Sequence, residues 1–68
     1  MENFTLTEEY IELIRLLKVL NWVESGGMAK MVVDDGLVKV NGQTEFRKRC
    51  KLRAGDRVDF EGMTATIA

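Results

Sequence analysis

A run of positive charge stands in the second half of the sequence: five of the seven residues from Arg47 to Arg53 are basic. Lysine and arginine side chains bind phosphates, because they displace condensed counterions and because a guanidinium can make two parallel hydrogen bonds to one anion. In an extended strand, alternate side chains share a face, so the four cations at odd-numbered positions would lie together, opposite Cys50 and Leu52. Charge alone does not decide between a phosphate-binding surface and a solvated strand face.

This basic run belongs to a chain that is close to neutral overall. The 68 residues carry a formal charge of −1, and taken alone that value argues against nucleic acid as a partner. The charge is nevertheless sorted along the chain: residues 1–38 carry −4, residues 39–57 carry +5 and residues 58–68 carry −2. This distribution is typical of a local electrostatic footprint for phosphates rather than of attraction by the whole surface.

The residue types argue against catalytic and metal chemistry. The sequence has no histidine, the commonest general base and metal ligand, and its single cysteine cannot form an internal disulfide or a cysteine zinc cluster. That cysteine, Cys50, is predicted to be an inert core thiol because it alternates with Leu52, although neighbouring cations favour its thiolate. The adjacent pairs Glu8-Glu9 and Asp34-Asp35 do not converge as catalytic dyads do. We expect no enzyme activity, no cofactor, no metal and no small-molecule substrate.

Signals for export or membrane insertion are missing from the sequence. Its beginning has no basic stretch followed by an apolar stretch, so no signal peptide is predicted. Apolar runs reach only two or three residues, far below the ~20 that a membrane-spanning helix requires. A lone cysteine fits a reducing compartment. We expect one domain over residues 1–68, in the cytoplasm and away from the membrane.

A first helix is predicted near the beginning of the chain. Thr7 followed by Glu8 and Glu9 is typical of a helix start, and Thr5 with Glu8 offers a competing capping box. From Tyr10 to Leu20 the apolar residues leave only a narrow polar strip. Such a helix must be covered on most sides by another segment or by a partner chain.

A second, shorter helix follows. Ser25 is predicted to cap it, and Gly36 is predicted to end it in the left-handed conformation, with Leu37 closing the hydrophobic contact. Its apolar face is predicted to consist of Met28, Ala29, Val32 and Val33.

The rest of the chain alternates in the manner of short strands separated by turns. Asn41-Gly42 is a strong hairpin signal, and Ala54-Gly55-Asp56 and Glu61-Gly62 mark further turns. The predicted strands are Leu37–Val40, Gln43–Phe46, Arg57–Phe60 and Met63–Ile67, with Asn3–Leu6 as a further edge strand. The predicted fold class is α+β, with two N-terminal helices packed on a small, mostly antiparallel sheet.

The order of these features resembles a known family. A helix, a tight turn and a Ser-capped helix precede a G-x-V-x-V-N-G stretch at 36–42 and a G-D pair at 55–56. Together they resemble the S4-type RNA-binding domain over nearly the whole chain, from Tyr10 to Phe60. The stretch from Glu45 to Lys51, E-F-R-K-R-C-K, is similar to the short stand-alone bacterial branch of that family, the YbcJ-like proteins.

The resemblance implies a fold, a function and a set of contacts. It implies that the two helices and the following hairpin form an L-shaped unit that presents a basic surface to structured RNA, either ribosomal or transfer RNA. The RNA-binding residues that it implies on the second helix and the hairpin are Ser25, Lys30, Lys39 and Asn41. The stand-alone branch extends this set with Arg47, Lys48, Arg49 and Lys51, and the basic run itself adds Arg53.

Two positions depart from the family pattern. The Arg-Leu-Asp that often opens the first helix is replaced by Glu12-Leu13-Ile14, and the Ser-Arg that opens the second is replaced by Ser25-Gly26. Two basic contacts are therefore missing, which favours a binding surface displaced toward residues 47–53.

Several of these side chains also have a plainer interpretation. Ser25-Gly26-Gly27 could hold a phosphate, but an ordinary helix cap is the more frequent arrangement. Lys30 could reach the same phosphate or only water. Among the aromatic residues that could stack on bases, Tyr10 and Phe46 are predicted to pack in the core, and Trp22 is left open.

Two functions from different classes compete at this point. The first is a non-enzymatic RNA-binding module that recognises the backbone shape and charge of structured RNA. The second is a protein-interaction module that docks on a ribosomal or RNA-processing protein, which the wide apolar girth of the first helix suggests. The sorted charge and the family resemblance favour the first.

Overall fold

The computed structural model describes residues 2–68, which form two helices and seven short strands. Helix α1 spans Leu13–Val19 and helix α2 spans Gly26–Asp34. In chain order the strands are β1 (Glu2–Phe4), β2 (Ile11–Glu12), β3 (Val38–Val40), β4 (Gln43–Thr44), β5 (Lys51–Leu52), β6 (Arg57–Phe60) and β7 (Met63–Ile67). Neither helix is long and apolar enough to cross a membrane.

The strands form one five-stranded sheet and one two-stranded ribbon. The sheet has the order β1-β7-β6-β3-β4, with β1 parallel to β7 and every other pair antiparallel. Strands β2 and β5 pair antiparallel outside that sheet. The α+β class, the mostly antiparallel sheet and the N-terminal edge strand are therefore confirmed. The helices are not the first elements of the chain, however, because β1 and β2 precede them.

Both helices and the sheet share one hydrophobic core. Its largest fully buried side chains are Leu13, Leu16, Leu17, Leu52, Ile67, Val33, Val38 and Val58. Ile14 and Leu20 pack against this core from the flanks of α1, while Val19 is half exposed. The chain itself therefore covers most of the apolar girth of α1.

Helix α1 begins later than predicted, at Leu13 rather than just after Thr7. The two residues before Leu13 form β2 and pair with β5, and a backbone that is extended in a ladder cannot at the same time be helical. The helix start predicted from Glu8-Glu9 is therefore wrong, since that pair lies in the loop before β2.

The N-terminus of α1 is completed by a distant part of the chain. Glu12, the residue before the helix, makes no side-chain cap. Instead, the N–H group of Leu13 donates to the carbonyl of Cys50 at 2.9 Å, and that of Ile14 donates to the carbonyl of Lys48 at 3.1 Å. These bonds satisfy helical N–H groups that have no partner within the helix.

Helix α2 agrees with its prediction at both ends. The Ser25 hydroxyl accepts a hydrogen bond from the N–H of Met28 at 3.1 Å. Gly36 has φ +72°, and the N–H groups of Gly36 and Leu37 donate back to the last turn at 3.1 Å each, which is the Schellman arrangement. The buried face is narrower than predicted, because Met28 lies at its edge and is 40% exposed.

Two hairpins turn through consecutive left-handed residues. Asn41 and Gly42 have φ +52° and +85°, and Glu61 and Gly62 have φ +48° and +81°. This pattern matches the type I′ turn, whose twist suits the flanking strands. Strands β6 and β7 have the predicted bounds, whereas β4 is two residues shorter than the predicted Gln43–Phe46.

Candidate nucleic-acid interface

Residues 45–53, called here the basic segment, run from the end of β4 into β5 along the start of α1. At one end, the N–H of Glu45 donates to the carbonyl of Val38 at 3.0 Å. In the middle, the carbonyls of Lys48 and Cys50 bind α1, and at the other end Lys51–Leu52 pairs with β2. The segment therefore has little regular structure but many fixed points.

The alternation predicted for the basic run is present, although only Lys51–Leu52 is a strand. Side chains 47, 49, 51 and 53 are exposed, those at 48 and 50 are half-buried, and Leu52 is fully buried. A turn, closed by the N–H of Cys50 donating to the carbonyl of Arg47 at 3.2 Å, prevents a longer strand.

Four cations of the basic segment converge on one shallow, open concavity of about 500 Å³. We call it the basic concavity, and its lining residues are Arg47, Arg49, Cys50, Lys51 and Arg53. Guanidinium and ammonium groups around a common depression offer several donors to neighbouring phosphates. The structure thus brings together the four cations that were predicted to share a face.

Arg47 is held in place by Glu45. Its Nε and Nη2 donate to the two carboxylate oxygens at 3.0 and 2.9 Å, and its backbone N–H donates to Oε2 at 2.9 Å. The side-chain bonds first, and then the backbone bond, lower the pKa of Glu45 from 4.5 to about 2. The same pair raises the pKa of Arg47, whose side chain is 76% exposed. The guanidinium is therefore fixed in direction and partly neutralised.

Ion pairs divide the remaining cations into two groups. Lys48 Nζ lies 2.9 Å from Asp34 at the end of α2, which explains why it does not line the basic concavity. Arg53 lies 4.0 Å from Glu9. Among residues 2–68, Arg49 and Lys51 have no carboxylate within 4.0 Å. The least neutralised positive charge of the segment is therefore at Arg49 and Lys51.

Tyr10 lies under two of the cations. Lys51 Nζ is 4.9 Å from the centre of its ring, and Arg53 Cζ is 5.7 Å from the same point. Both distances allow cation–π attraction, which orients the two side chains without neutralising them. The sequence pattern predicted Tyr10 only as a core residue, because no local pattern indicates which distant cations a half-buried ring will meet.

Cys50 packs half-buried against the core. Burial raises the pKa of its thiol, Glu45 raises it further, and the opposite effect of Arg47 does not compensate. The neighbouring cation Arg47 thus favours the thiolate as expected, but burial outweighs it, in agreement with the predicted inert thiol. Across the described residues, no cluster of three or more cysteine, aspartate or glutamate side chains could hold a metal ion.

Asn41 connects the two turns on either side of the basic segment. Its Nδ2 donates to Asp56 at 3.0 Å, and its Oδ1 accepts from the N–H of Arg57 at 2.9 Å. Asp56 also accepts from the N–H of Arg53 at 2.8 Å. These contacts give a physical reason for the joint presence of the N-G and G-D pairs, and they engage both ends of the Asn41 amide within the fold.

The other predicted RNA-binding residues do not line the basic concavity. Ser25 caps α2, Lys30 is exposed on the same helix, and Lys39 is exposed on β3, opposite Thr44 and Asp59 of the neighbouring strands. RNA contact by these three residues, and by Asn41, stays a prediction.

The aromatic residues are placed differently from their predictions. Phe46 was predicted in the core but is 61% exposed. Trp22, which the sequence left open, stacks on Phe60 with ring centres 6.4 Å apart, and its Nε1–H donates to Glu2 at 2.7 Å. Both the ring and the N–H of Trp22 thus have partners within the fold, and Phe46 is the aromatic side chain that faces solvent.

Comparisons with known proteins agree with this architecture. The S4 domain family model matches residues 4–68. The chain is 44% identical over 68 residues to the "Putative RNA-binding protein YbcJ" of Escherichia coli (strain K12), covering 98% of this chain and 97% of the relative. It is 38% identical over 58 residues to the "Probable ribosome maturation protein RlbA" of Bacillus subtilis (strain 168), covering 85% and 82% of the two chains.

The fold is shared with solved structures of other proteins. The solution structure of E. coli YbcJ, described as containing an alfaL motif involved in RNA-binding, superposes with a TM-score of 0.76 at 43% identity. That match covers 100% of this chain and 87% of YbcJ. The crystal structure of the 30S ribosomal protein S4e from Thermoplasma acidophilum gives a TM-score of 0.70 at 22% identity, covering 85% of this chain and 31% of that protein. The second match concerns the fold alone.

Proposed function

This chain belongs to the S4 domain family, and we propose that it is a non-enzymatic module that binds structured RNA through the basic concavity. The observation that carries the proposal is the convergence of Arg47, Arg49, Lys51 and Arg53 on one depression. Because the surrounding backbone is bonded to α1, β2 and β3, these cations are positioned before RNA arrives, which reduces the ordering cost of binding.

The net charge supports attraction of RNA to one face of the chain rather than to its whole surface. The chain as a whole carries −1, so its surface does not collect nucleic acid indiscriminately. Within the basic segment, Glu45 is the only acidic residue, and it is bonded to Arg47. Binding is therefore expected at one face, where phosphates of a folded RNA converge on Arg49 and Lys51.

We further propose that the RNA is ribosomal. One relative is named as an RNA-binding protein and another as a ribosome maturation protein, which supports ribosomal RNA over transfer RNA. In this proposal, the alfaL motif described for YbcJ corresponds to an L-shaped unit formed by α1, α2 and the β3–β4 hairpin. The basic concavity lies beside that unit. Bacterial ribosomes assemble in the cytoplasm, which is the location that the proposal requires.

A salt titration tests the proposal. Purified bacterial ribosomal RNA, bulk transfer RNA and a DNA duplex are titrated with the full chain at 50 and 200 mM salt. With four phosphate contacts, each contributing about 0.9 to the slope of log affinity against log salt, affinity for ribosomal RNA is expected to fall roughly 150-fold between the two salt concentrations. Equal affinity for DNA, or binding that salt does not change, would contradict the proposal.

Matched variants localise the interface. R49A/K51A/R53A removes three cations from the basic concavity and is expected to reduce the slope of affinity against salt by about three. R15A/K18A/R57A removes the same charge from exposed positions outside the concavity and is expected to leave that slope nearly unchanged. Equal losses in both triple variants would point to whole-surface attraction instead.

The protein-interaction alternative has less support than the sequence suggested. Its basis was the apolar girth of α1, which the core of this chain covers on most sides. Nuclease treatment distinguishes the two functions. If the chain docks on a ribosomal or RNA-processing protein, that protein should still be recovered with it from a lysate after nuclease treatment.

A further inference from the structure

Phe46 is an exposed aromatic side chain at the start of the basic run. The residue is 61% exposed, the largest fraction among the large hydrophobic residues of 2–68. Trp22 and Phe60 stack on each other, whereas no aromatic partner within the described residues covers Phe46. A large apolar surface is therefore left open to solvent one residue before Arg47, the first residue that lines the basic concavity.

The position of this ring is well defined by its neighbours. The preceding N–H, of Glu45, donates to Val38 at 3.0 Å, and the following N–H, of Arg47, donates to the Glu45 carboxylate at 2.9 Å. A Cβ placed on Gly36 would lie 3.4 Å from Cε1 of the ring, so the ring edge rests on bare glycine backbone. Phe46 is thus supported at one edge while its surface remains accessible.

The cations that follow Phe46 in the chain favour a nucleotide as the occupant. Arg47 and Arg49, just after Phe46, line the basic concavity. Lys48 turns the other way and pairs with Asp34, which offsets the acidic end of α2 beside the ring. A nucleotide combines a planar aromatic base with an anionic phosphate, so it can use both the ring and the cations. An apolar protein surface would use the ring and leave the cations unpaired.

We infer that Phe46 stacks on an unpaired base of the RNA whose phosphates occupy the basic concavity. This inference rests on the proposed function and adds a preference for one class of RNA. Bases inside a double helix are already stacked on both sides, so a surface phenylalanine can reach only a base in a bulge, a loop or an end. The predicted ligand is a folded RNA with an unpaired base next to a helical stem.

The test compares two RNA hairpins with identical stems. One carries a single unpaired 2-aminopurine, and the other is fully paired. The proteins are the wild-type chain, F46L, which keeps apolar bulk without an aromatic face, F46Y, which keeps the face, and R49A, which removes one cation. Thermal unfolding by circular dichroism accompanies each variant to confirm that it is folded.

We expect wild type to bind the unpaired-base hairpin more tightly and to quench its 2-aminopurine fluorescence. F46L should lose about tenfold in affinity for that hairpin and little for the paired one, since a single stacking contact has about this effect. F46Y should retain the preference. R49A should weaken both hairpins by the same factor, because phosphate contacts carry no information about base pairing.

Several outcomes would overturn the inference, and they differ from failure of the proposed function. If wild type binds RNA but F46L binds both hairpins as well as wild type does, Phe46 does not contact a base. If F46L weakens both hairpins equally, or if F46Y loses the preference, stacking is not the cause. A wild-type dimer in sedimentation that F46L converts to a monomer would place the ring in a protein contact. Absence of wild-type binding to either hairpin at low salt would overturn the proposed function as well.

Discussion

The two helices of this domain begin in opposite ways. At the start of α2, Ser25 accepts a hydrogen bond from the N–H of Met28, three residues away in sequence. At the start of α1, Glu12 provides no side-chain cap, and the N–H groups of Leu13 and Ile14 bind carbonyls of the basic segment. One helix therefore begins by local chemistry and the other by a long-range contact.

This difference has a consequence for the candidate interface. The basic segment and the start of α1 satisfy each other's backbone groups, so neither has its observed conformation without the other. Cations on an irregular loop would ordinarily be mobile. Here they are positioned because their backbone doubles as the cap of a helix and as a strand beside β2.

The largest loss of stability is expected from a substitution at the buried residue of the basic segment, whose backbone completes the start of α1. Leu52 is the residue of the basic segment that is fully buried in the core, so L52A should lower the free energy of unfolding by about 2–5 kcal/mol. Chemical denaturation followed by circular dichroism measures this loss. The half-exposed Val19 gives the control, since V19A should change stability far less. Similar losses in both variants would mean that Leu52 does not fix the segment.

A smaller effect is expected at the bond that joins the turns flanking the basic segment. N41A removes the hydrogen bonds to Asp56 and Arg57 and places alanine at φ +52°, so it should lower the free energy of unfolding by about 1–3 kcal/mol. N41G removes the same bonds but tolerates that φ, and its loss should be smaller. If denaturation shows N41G to be as destabilising as N41A, the backbone conformation of residue 41 contributes nothing to the loss of stability.

Removing the local cap of α2 should lower the free energy of unfolding by about 1 kcal/mol. S25A removes the cap of α2 and should lower the free energy of unfolding by that amount, whereas S25D should retain it. E12A, at the equivalent position of α1, should change stability by less than about 0.5 kcal/mol, because Glu12 makes no side-chain cap. Urea denaturation of the three variants checks this, and a loss in E12A equal to that in S25A would remove the contrast between the helices.

The smallest effect on stability is expected from the pair Glu45–Arg47, because the Arg47 side chain is 76% exposed to solvent, and the pair is better followed by its titration. The folded pKa of Glu45 is about 2, below its ordinary 4.5, so this carboxylate stabilises the fold above about pH 4.5. That contribution is lost as the pH falls toward about 2. An NMR titration of the Glu45 carboxyl should show this value in wild type and a rise toward 4.5 in R47A. An unchanged pKa in R47A would show that the Arg47 side chain is not its cause, since the backbone N–H of residue 47 remains in that variant.

The elements predicted correctly are those whose signals lie within a few residues. Ser25 and Gly36 bound α2 as predicted, and the turn at Glu61-Gly62 separates β6 and β7 at the predicted residues. The start of α1 was missed because Thr7 and the following glutamates form a valid local start signal. Pairing of β2 with β5, more than thirty residues along the chain, overrides that signal.

The candidate interface divides in the same way. Its charge and its alternation could be predicted, because five of the seven residues from Arg47 to Arg53 are basic and Leu52 alternates with them. The neutralisation of Arg47 by Glu45 could also be predicted, because the two residues are close in sequence. The position of the Tyr10 ring under Lys51 could not be predicted, and neither could the exposure of Phe46, whose ring edge contacts the distant Gly36.

The sequence by itself determined the fold class, the family, the bounds of α2 and the position of the basic segment, since each depends on spacing, capping or turn chemistry that short stretches carry. Only the tertiary structure decided where α1 begins, which cations converge on the basic concavity and which aromatic ring faces solvent. The physical reason is that carbonyl partners, ion pairs and supporting surfaces come from residues far apart in the chain. A chain with a net charge of −1 thereby presents one basic face.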